Sequence, residues 1–287
     1  MSAIVRTPPR RSLLFVPALR PERFDKAIHS GADLVCIDLE DSVPQAKKSE
    51  ARNITIHYLR QLESETTHKF VRINTPRSLE GLKDLLALLD TGIHVDGLMI
   101  PKVSSGEEIR WISELIKTSQ TSLDILPIIE TAQGLNQVEA IACASDRITC
   151  IAFGFVDYAA ETGCDLTWDA LLYARGRIIS AAALRSLDTM DGPWLALSDT
   201  QGLNAEAKRV ASLGFTGKMA ISPRQVSCLN TAFTPSSSSI ERAKRVVEAS
   251  KLLEGHAFSL DGNLVDKPVI ANAHRVLAIA ERNRLRS

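Results

Sequence analysis

Eight short runs rich in Val, Ile and Leu recur along the chain, alternating with longer segments that carry helical spacing. The runs read as strands at 12–17 (SLLFVP), 33–39 (DLVCIDL), 69–74 (KFVRIN), 97–102 (GLMIPK), 124–130 (DILPIIE), 147–154 (RITCIAFG), 186–190 (SLDTM) and 216–222 (TGKMAIS). Between them lie helix patterns at 21–30, 45–63, 78–90, 106–118, 134–143, 168–185, 200–213 and 223–230. Such alternation is the mark of repeated βαβ units rather than of a sandwich or a bundle. Eight units predict a closed parallel barrel, the α/β TIM (β/α)8 fold, over residues 11–233. An open doubly wound sheet is the weaker reading, because no Gly-x-Gly-x-x-Gly follows the first strand.

Helix starts are marked by Ser78, by Ser104 and Ser105 ahead of Glu107 and Glu108, and by Ser198–Asp199. The first ten residues read as a flexible arm, and TPSSSS (234–239) as a polar linker into a C-terminal extension over 234–287. In that extension SIERAKRVVEASKLLEG is a helix stopped by Gly255, FSLDGNLVDKPVI is a hairpin turning at Asp261-Gly262-Asn263, and ANAHRVLAIAERNRLR is a final helix. A barrel does not need this tail, which is free to cap the barrel mouth or to reach a neighbouring subunit.

Lys plus Arg equals Asp plus Glu at 34 each, so no net field draws the protein onto nucleic acid or an anionic membrane. No apolar run reaches the roughly 18 residues of a spanning helix. The five cysteines are odd in number, lack Cys-x-x-Cys spacing and mostly sit in apolar surroundings, which predicts buried free thiols and a reducing cytoplasm.

In a parallel eight-stranded barrel the chemistry sits at the C-terminal strand ends. These supply Asp38, Glu40 and Asp41 from the second strand, Arg72 and Asn74 from the third, Lys102 from the fourth, Glu130 from the fifth, Asp157 just past the sixth and Ser222 from the eighth. Glu130 and Asp157, from adjacent strands at matching depth, are placed to converge. Two bare carboxylates repel, and a hard cation such as Mg²⁺, held by one or two carboxylates with water and substrate oxygens, relieves that repulsion. The bland alternative pairs Glu130 with Arg72 or Lys102 and leaves Asp157 to cap a turn. Arg72 lies within an apolar strand and needs an anion: either the acids of DLEDS satisfy it, or Glu40 or Asp41 orients it from behind while its fork takes a substrate carboxylate. Lys102 reads as a salt-bridge partner rather than a Schiff-base lysine. The six histidines are scattered, with no metal-ligand spacing between them.

Taken in order, SLLFVPALRPERFDKA, DLVCIDLEDSV, FVRINTP, GLMIPKV, LPIIETAQGL, FGFVDYAAETG, LLYARGRIISAA, GFTGKMAISPRQ and DGNLVDKPV cover nearly the whole chain. In these motifs the sequence resembles the citrate lyase β-subunit family, including its free-standing acyl-CoA lyase relatives. The resemblance implies a TIM barrel, Mg²⁺ on Glu130 and Asp157, and substrate carboxylate on Arg72. It also implies cleavage of a 3-hydroxyacyl-CoA thioester between the hydroxyl-bearing carbon and its neighbour, and assembly as a homotrimer or a pair of trimers, a homohexamer. Asp266 matches an aspartate that crosses to the next subunit's barrel and acts as acid/base. Coenzyme A phosphates are expected near Arg20, Arg23 or Lys26.

Three positions depart from the family pattern: Ala18 where glycine is usual, Val156 where an acid precedes the metal aspartate, and Ser222 where histidine is usual. The expected reaction is (3S)-citramalyl-CoA to acetyl-CoA and pyruvate, for a chain that reads as complete in itself. One methyl separates this substrate from malyl-CoA, a difference worth about 1–3 kcal/mol, so use of both is plausible. The rivals are a citrate lyase β subunit, giving oxaloacetate from a citryl thioester on an acyl carrier protein, and a catalytically silent binding barrel.

Overall fold

The structure, a computed structural model, describes residues 8–62, 67–90, 93–119, 121–252 and 256–284. Arg10–Asn230 form one compact unit; Thr231 onward, with Pro8 and Pro9, belong to a second. Residues 1–7 of the predicted arm and the helix-stopping Gly255 lie outside the described residues.

In the first unit β1 (Ser12–Pro17), β2 (Leu34–Asp38), β3 (His68–Arg72), β4 (Gly97–Ile100), β5 (Asp124–Ile129), β6 (Cys150–Phe153), β7 (Asp188–Asp191) and β8 (Gly217–Ala220) form a closed barrel in chain order. Every pairing is parallel, and Leu13 opposite Met219 is part of the seam between first and last strands. The expected TIM barrel is therefore present, each strand overlapping its predicted run. Most strands stop short of the predicted end, because the final residues of each run peel away to carry the loops of the mouth. Leu13, Phe70, Met99, Leu126, Met190 and Met219 are among the side chains that fill the interior, so the barrel is a packed core and not a pore.

Arg10, assigned to the arm from sequence, is 3 % exposed and donates to Asp124 Oδ2 at 2.8 Å and Asp188 Oδ2 at 3.3 Å. These acids begin β5 and β7, so the arginine ties the end of the barrel opposite the mouth.

The helices α1 (Phe24–Ile28), α2 (Lys48–Gln61), α3 (Leu79–Leu88) and α4 (Gly106–Thr118) follow the predicted segments, and Ser78 and Ser105 cap α3 and α4 through their hydroxyls. The helix expected over 134–143 is divided into α5 (Ala132–Asn136) and α6 (Val138–Ala142), and starts earlier because Thr131 accepts the Gly134 N–H at 3.0 Å. The next helix, α7 (Phe155–Thr162), is absent from the sequence reading; α8 (Trp168–Ala183), α9 (Thr200–Leu213) and α10 (Pro223–Ala232) complete this series.

The second unit contains α11 (Ser237–Leu252), a hairpin of β9 (Phe258–Leu260) and β10 (Asn263–Val265), and α12 (Lys267–Arg284). Ala243, Val246, Val265 and Ala273 pack into its own small core. The polar stretch read as linker is partly helix, since Ser236 Oγ accepts the Ser239 N–H at 3.2 Å and starts α11. The hairpin turns on two residues, Asp261 (φ 52°) and Gly262 (φ 77°), the left-handed pair that a tight turn between antiparallel strands requires. Asn263 already belongs to β10. No helix among the described residues is long and apolar enough to cross a membrane.

Candidate active site

At the C-terminal ends of the strands a cavity of about 420 Å³ opens. One side is ionic, formed by Asp38, Asp41, Arg72, Glu130 and Asp157. The other is apolar and includes Phe15, Phe155, Val156, Pro193, Met219 and Ile221.

Arg72 ends β3, beside the end of β2 in register with Asp38. Its Nε and Nη2 both donate to the Asp38 carboxylate at 2.7 Å, a planar fork-to-fork pair. Nη1 lies 3.2 Å from Glu40 Oε2 and 3.2 Å from Asp41 Oδ2, and the guanidinium lies 4.9 Å from the Phe15 ring centroid. Of the two expectations, the structure shows the acids of DLEDS satisfying Arg72, with Asp38 as its principal partner and Glu40 and Asp41 beside Nη1. Burial alone would raise the Asp38 pKa, but the adjacent Arg72 charge and its hydrogen bonds outweigh it and hold the carboxyl below its usual value. Burial likewise works against the Arg72 charge, and Asp38, Glu40 and Asp41 reverse it, so the guanidinium is held more firmly protonated than usual.

Glu130 follows the last residue of β5 and is 2 % exposed. Its Oε1 accepts the Lys102 main-chain N–H at 2.8 Å. On its other side is Gly154, where any Cβ would collide with Glu130 Oε2, so only glycine lets the carboxylate lie there. Burial, with the negative charges of Glu40 and Asp157, pushes the Glu130 pKa up to about 8. Among the described residues no Lys, Arg or His side chain forms an ion pair with it. The ion-pair alternative weighed from sequence is thus not what the structure shows. Asp157 lies in the first turn of α7, where Gly154 is the N-cap and no side chain caps. Its side chain is 39 % exposed and lies 3.7 Å from Lys102 Nζ.

Glu40 is the hidden centre of the cluster. It accepts Lys102 Nζ at 2.7 Å, and Lys48 Nζ reaches its main-chain oxygen at 2.7 Å. Burial raises its pKa against the pull of Arg72 and Lys102. Lys102 is therefore the salt-bridge partner that the sequence reading favours. Counting formal charges, the five carboxylates of Asp38, Glu40, Asp41, Glu130 and Asp157 face three cations, Arg72, Lys102 and Lys48. With Glu130 ionised, the excess of two negative charges is what one divalent cation balances; below about pH 8 the metal-free site sheds one of them by protonating Glu130. No three His, Cys, Asp or Glu side chains among the described residues form a ready-made cage. Glu130 and Asp157, which both line the cavity, are the carboxylates that could hold a hard, octahedral ion, with water and ligand oxygens completing its shell.

Other candidates fall elsewhere. Asn74 is buried and donates to Asp84 Oδ2 at 2.6 Å and to the Leu39 carbonyl at 3.1 Å, away from the cavity. Arg20 and Arg23 are exposed, each 3.8 Å from Glu22 Oε1. Of the three departures, Ala18 is buried with its N–H on the Asp38 carbonyl at 3.1 Å, Val156 lines the cavity at 40 % exposure, and Ser222 stands outside the cavity lining. Asp266 belongs to the second unit, where it caps α12: its Oδ1 accepts the Val269 N–H at 3.3 Å and its carbonyl the Ile270 N–H at 3.0 Å.

Residues 11–223, the whole barrel, match the family model described as HpcH/HpaI aldolase/citrate lyase. The chain belongs to this family. As a member of the HpcH/HpaI aldolase/citrate lyase family it is a carbon–carbon lyase. It is 33 % identical to the L-malyl-CoA/beta-methylmalyl-CoA lyase of Cereibacter sphaeroides, over 95 % of each chain. With the mitochondrial citramalyl-CoA lyase of Homo sapiens it shares 30 % identity over 95 % of this chain and 86 % of that one. Among solved structures of the family, Mycobacterium tuberculosis CitE in complex with magnesium, acetoacetate and coenzyme A superimposes with a TM-score of 0.79 at 32 % identity, covering 96 % of this chain and 99 % of the other. RipC from Yersinia pestis matches with a TM-score of 0.71 at 37 % identity, covering 80 % and 97 %.

Proposed function

We propose that the protein is a magnesium-dependent lyase that cleaves a 3-hydroxyacyl-CoA thioester, with (3S)-citramalyl-CoA as substrate and acetyl-CoA and pyruvate as products. The observation that carries this reading is the division of one cavity into an ionic half, where Arg72 stands near Glu130 and Asp157, and an apolar half. A substrate for such a cavity has a carboxylate and neighbouring oxygens at one side and a small hydrocarbon group at the other. The relatives named for malyl-CoA and citramalyl-CoA, and the CitE complex with magnesium and coenzyme A, support the same class.

Glu130 and Asp157 would hold the magnesium ion, which when bound acts as a Lewis acid on the substrate's carboxylate and hydroxyl oxygens. Arg72 keeps its Nε and one Nη2 hydrogen on Asp38 and its Nη1 beside Asp41 and Glu40, and offers its remaining Nη2 hydrogen to the substrate carboxylate. Asp38 fixes the plane of that fork. Transfer of the hydroxyl proton to the Asp266 carboxylate allows the carbon–carbon bond to break, its electron pair passing to the thioester's α-carbon. The resulting enolate must gain a proton there before it recaptures the ketone. Asp266, delivered by the tail of a neighbouring copy in a homotrimer or homohexamer, supplies it. In the apolar half, Val156, Pro193 and Ile221 take the methyl group and exclude water. A citryl thioester would set a second carboxylate against these side chains, at a desolvation cost that a methyl does not incur. Five cysteines without a disulfide accord with a cytoplasmic setting.

The test is incubation of purified protein and Mg²⁺ with citramalyl-CoA, malyl-CoA and a carrier-bound citryl thioester, assaying pyruvate, glyoxylate and oxaloacetate. Pyruvate from the first, with the highest kcat/KM, is expected. Turnover of the carrier-bound thioester alone would move the protein to the citrate lyase β reading. No turnover of any of the three, together with no magnesium binding, would leave a silent barrel.

A further inference from the structure

After Ile100 the chain leaves β4 and turns through Pro101 into Lys102, whose φ of 54° is left-handed, one of three such non-glycine residues among those described. A lysine in this region is strained, and it persists only where its surroundings over-determine it. Here three contacts do so. The Lys102 N–H donates to Glu130 Oε1 at 2.8 Å, its carbonyl accepts Arg77 Nη2 at 2.6 Å, and its Nζ donates to Glu40 Oε1 at 2.7 Å. The other Glu40 oxygen lies 3.2 Å from Arg72 Nη1. Lys102 thus touches Glu130 in the cavity wall directly and reaches Arg72 only through the Glu40 ion pair, in which Oε2 makes no hydrogen bond; neither Lys102 nor Glu40 lines the cavity.

The angle φ sets the direction of a residue's N–H relative to its Cα–Cβ bond. The present geometry directs the Lys102 N–H at Glu130 and its side chain at Glu40 at once. A salt bridge from a side chain 33 % exposed does not by itself offset a strained backbone of this kind, and the hydrogen bonds to Glu130 and Arg77 share in holding it.

We infer that Lys102 is a positioning residue: from its left-handed turn it fixes the spacing between Glu130, held by its main-chain N–H, and Arg72, held through Glu40 by its ammonium. The inference rests on the functional reading above, in which Arg72 takes the substrate carboxylate and Glu130 would hold the magnesium ion that the same carboxylate meets.

Two variants separate its parts. Lys102→Gly keeps the N–H, relaxes the strained φ and removes the ammonium; Lys102→Met keeps the bulk of the stem. For each, calorimetry measures Mg²⁺ binding and then pyruvate binding at saturating Mg²⁺, with thermal melting as the check on folding. A lysine acting only as a local positive charge predicts tighter Mg²⁺ binding once it is gone. Positioning predicts the opposite sign: Mg²⁺ binding no tighter than wild type and pyruvate affinity reduced by about ten-fold or more in a folded protein.

Wild-type pyruvate affinity in the glycine variant, or tighter Mg²⁺ binding, would overturn the inference. Glu40→Gln combined with Lys102→Met should lower pyruvate affinity no further than the larger single effect, because both act through one bridge. Additive losses would sink that route. If the unmodified protein binds no Mg²⁺, the functional reading fails and this inference with it; normal wild-type binding beside unaffected variants defeats the inference alone.

Discussion

Glu130 shows at the residue scale why a strand at a barrel mouth ends on an acid. The side chain is 2 % exposed, its pKa lies near 8, and the groups that raise it after burial are two further carboxylates. A group whose folded pKa exceeds its model value of 4.5 favours the fold fully below that value, and its contribution is lost as pH rises toward about 8. Metal-free protein should therefore lose stability across that window, with Glu130 responsible for on the order of 4 kcal/mol, and Glu130→Gln should flatten the profile. Denaturant melts from pH 4.5 to 8 in chelator measure both, and a wild-type profile parallel to the variant's would refute the account. Mg²⁺ binding should release a proton at pH values below 8 in wild type and not in the variant, which should also lose activity without unfolding. Glu130 and Arg72 were legible because a charge at the end of an apolar run is costly to leave unpaired. Asp38 was less so: DLED offers three acids within four residues, and only the parallel register of β2 and β3 shows which of them meets the guanidinium. The left-handed Lys102 left no mark in the sequence at all.

Among the elements, strands were read best, since eight apolar runs separated by helical spacing have few other arrangements in a closed sheet. The helix α7 escaped because FGFVDYAAETG begins as the continuation of β6, and eight residues are too few for a clear period. Asp157 in its first turn and Gly163 at its end were the signals to be had. The final helix was placed four residues late for a related reason, the capping acid Asp266 having been read as part of the hairpin. That cap makes the role of Asp266 separable. Asn caps a helix about as well as Asp but donates no proton at neutral pH, whereas Ala loses both functions at about 1 kcal/mol of stability. Asp266→Asn should melt like wild type yet turn over far more slowly, with Mg²⁺ affinity unchanged; Asp266→Ala should be slow and also slightly less stable. Full activity in the asparagine variant would reduce Asp266 to its capping role.

For the whole molecule the proposal to test is that Asp266 of one copy serves the barrel of another. The barrel and the tail are distinct units, each with its own core. If the tail acts across subunits, then Glu130→Gln and Asp266→Asn, each strongly impaired alone, complement each other when coexpressed. An oligomer then contains sites in which an intact Glu130 from one protomer meets an intact Asp266 from another. Random mixing at equal ratio should restore about a quarter of the sites in a ring where each barrel takes its aspartate from one neighbour. A tail folding onto its own barrel gives no such recovery at any mixing ratio, because every protomer then carries one defect in its own site. Tagged copies purified as mixed oligomers and assayed for pyruvate release decide between the two. Recovery that disappears when the mixed oligomers are diluted to monomers would show that the complete site exists only in the assembly.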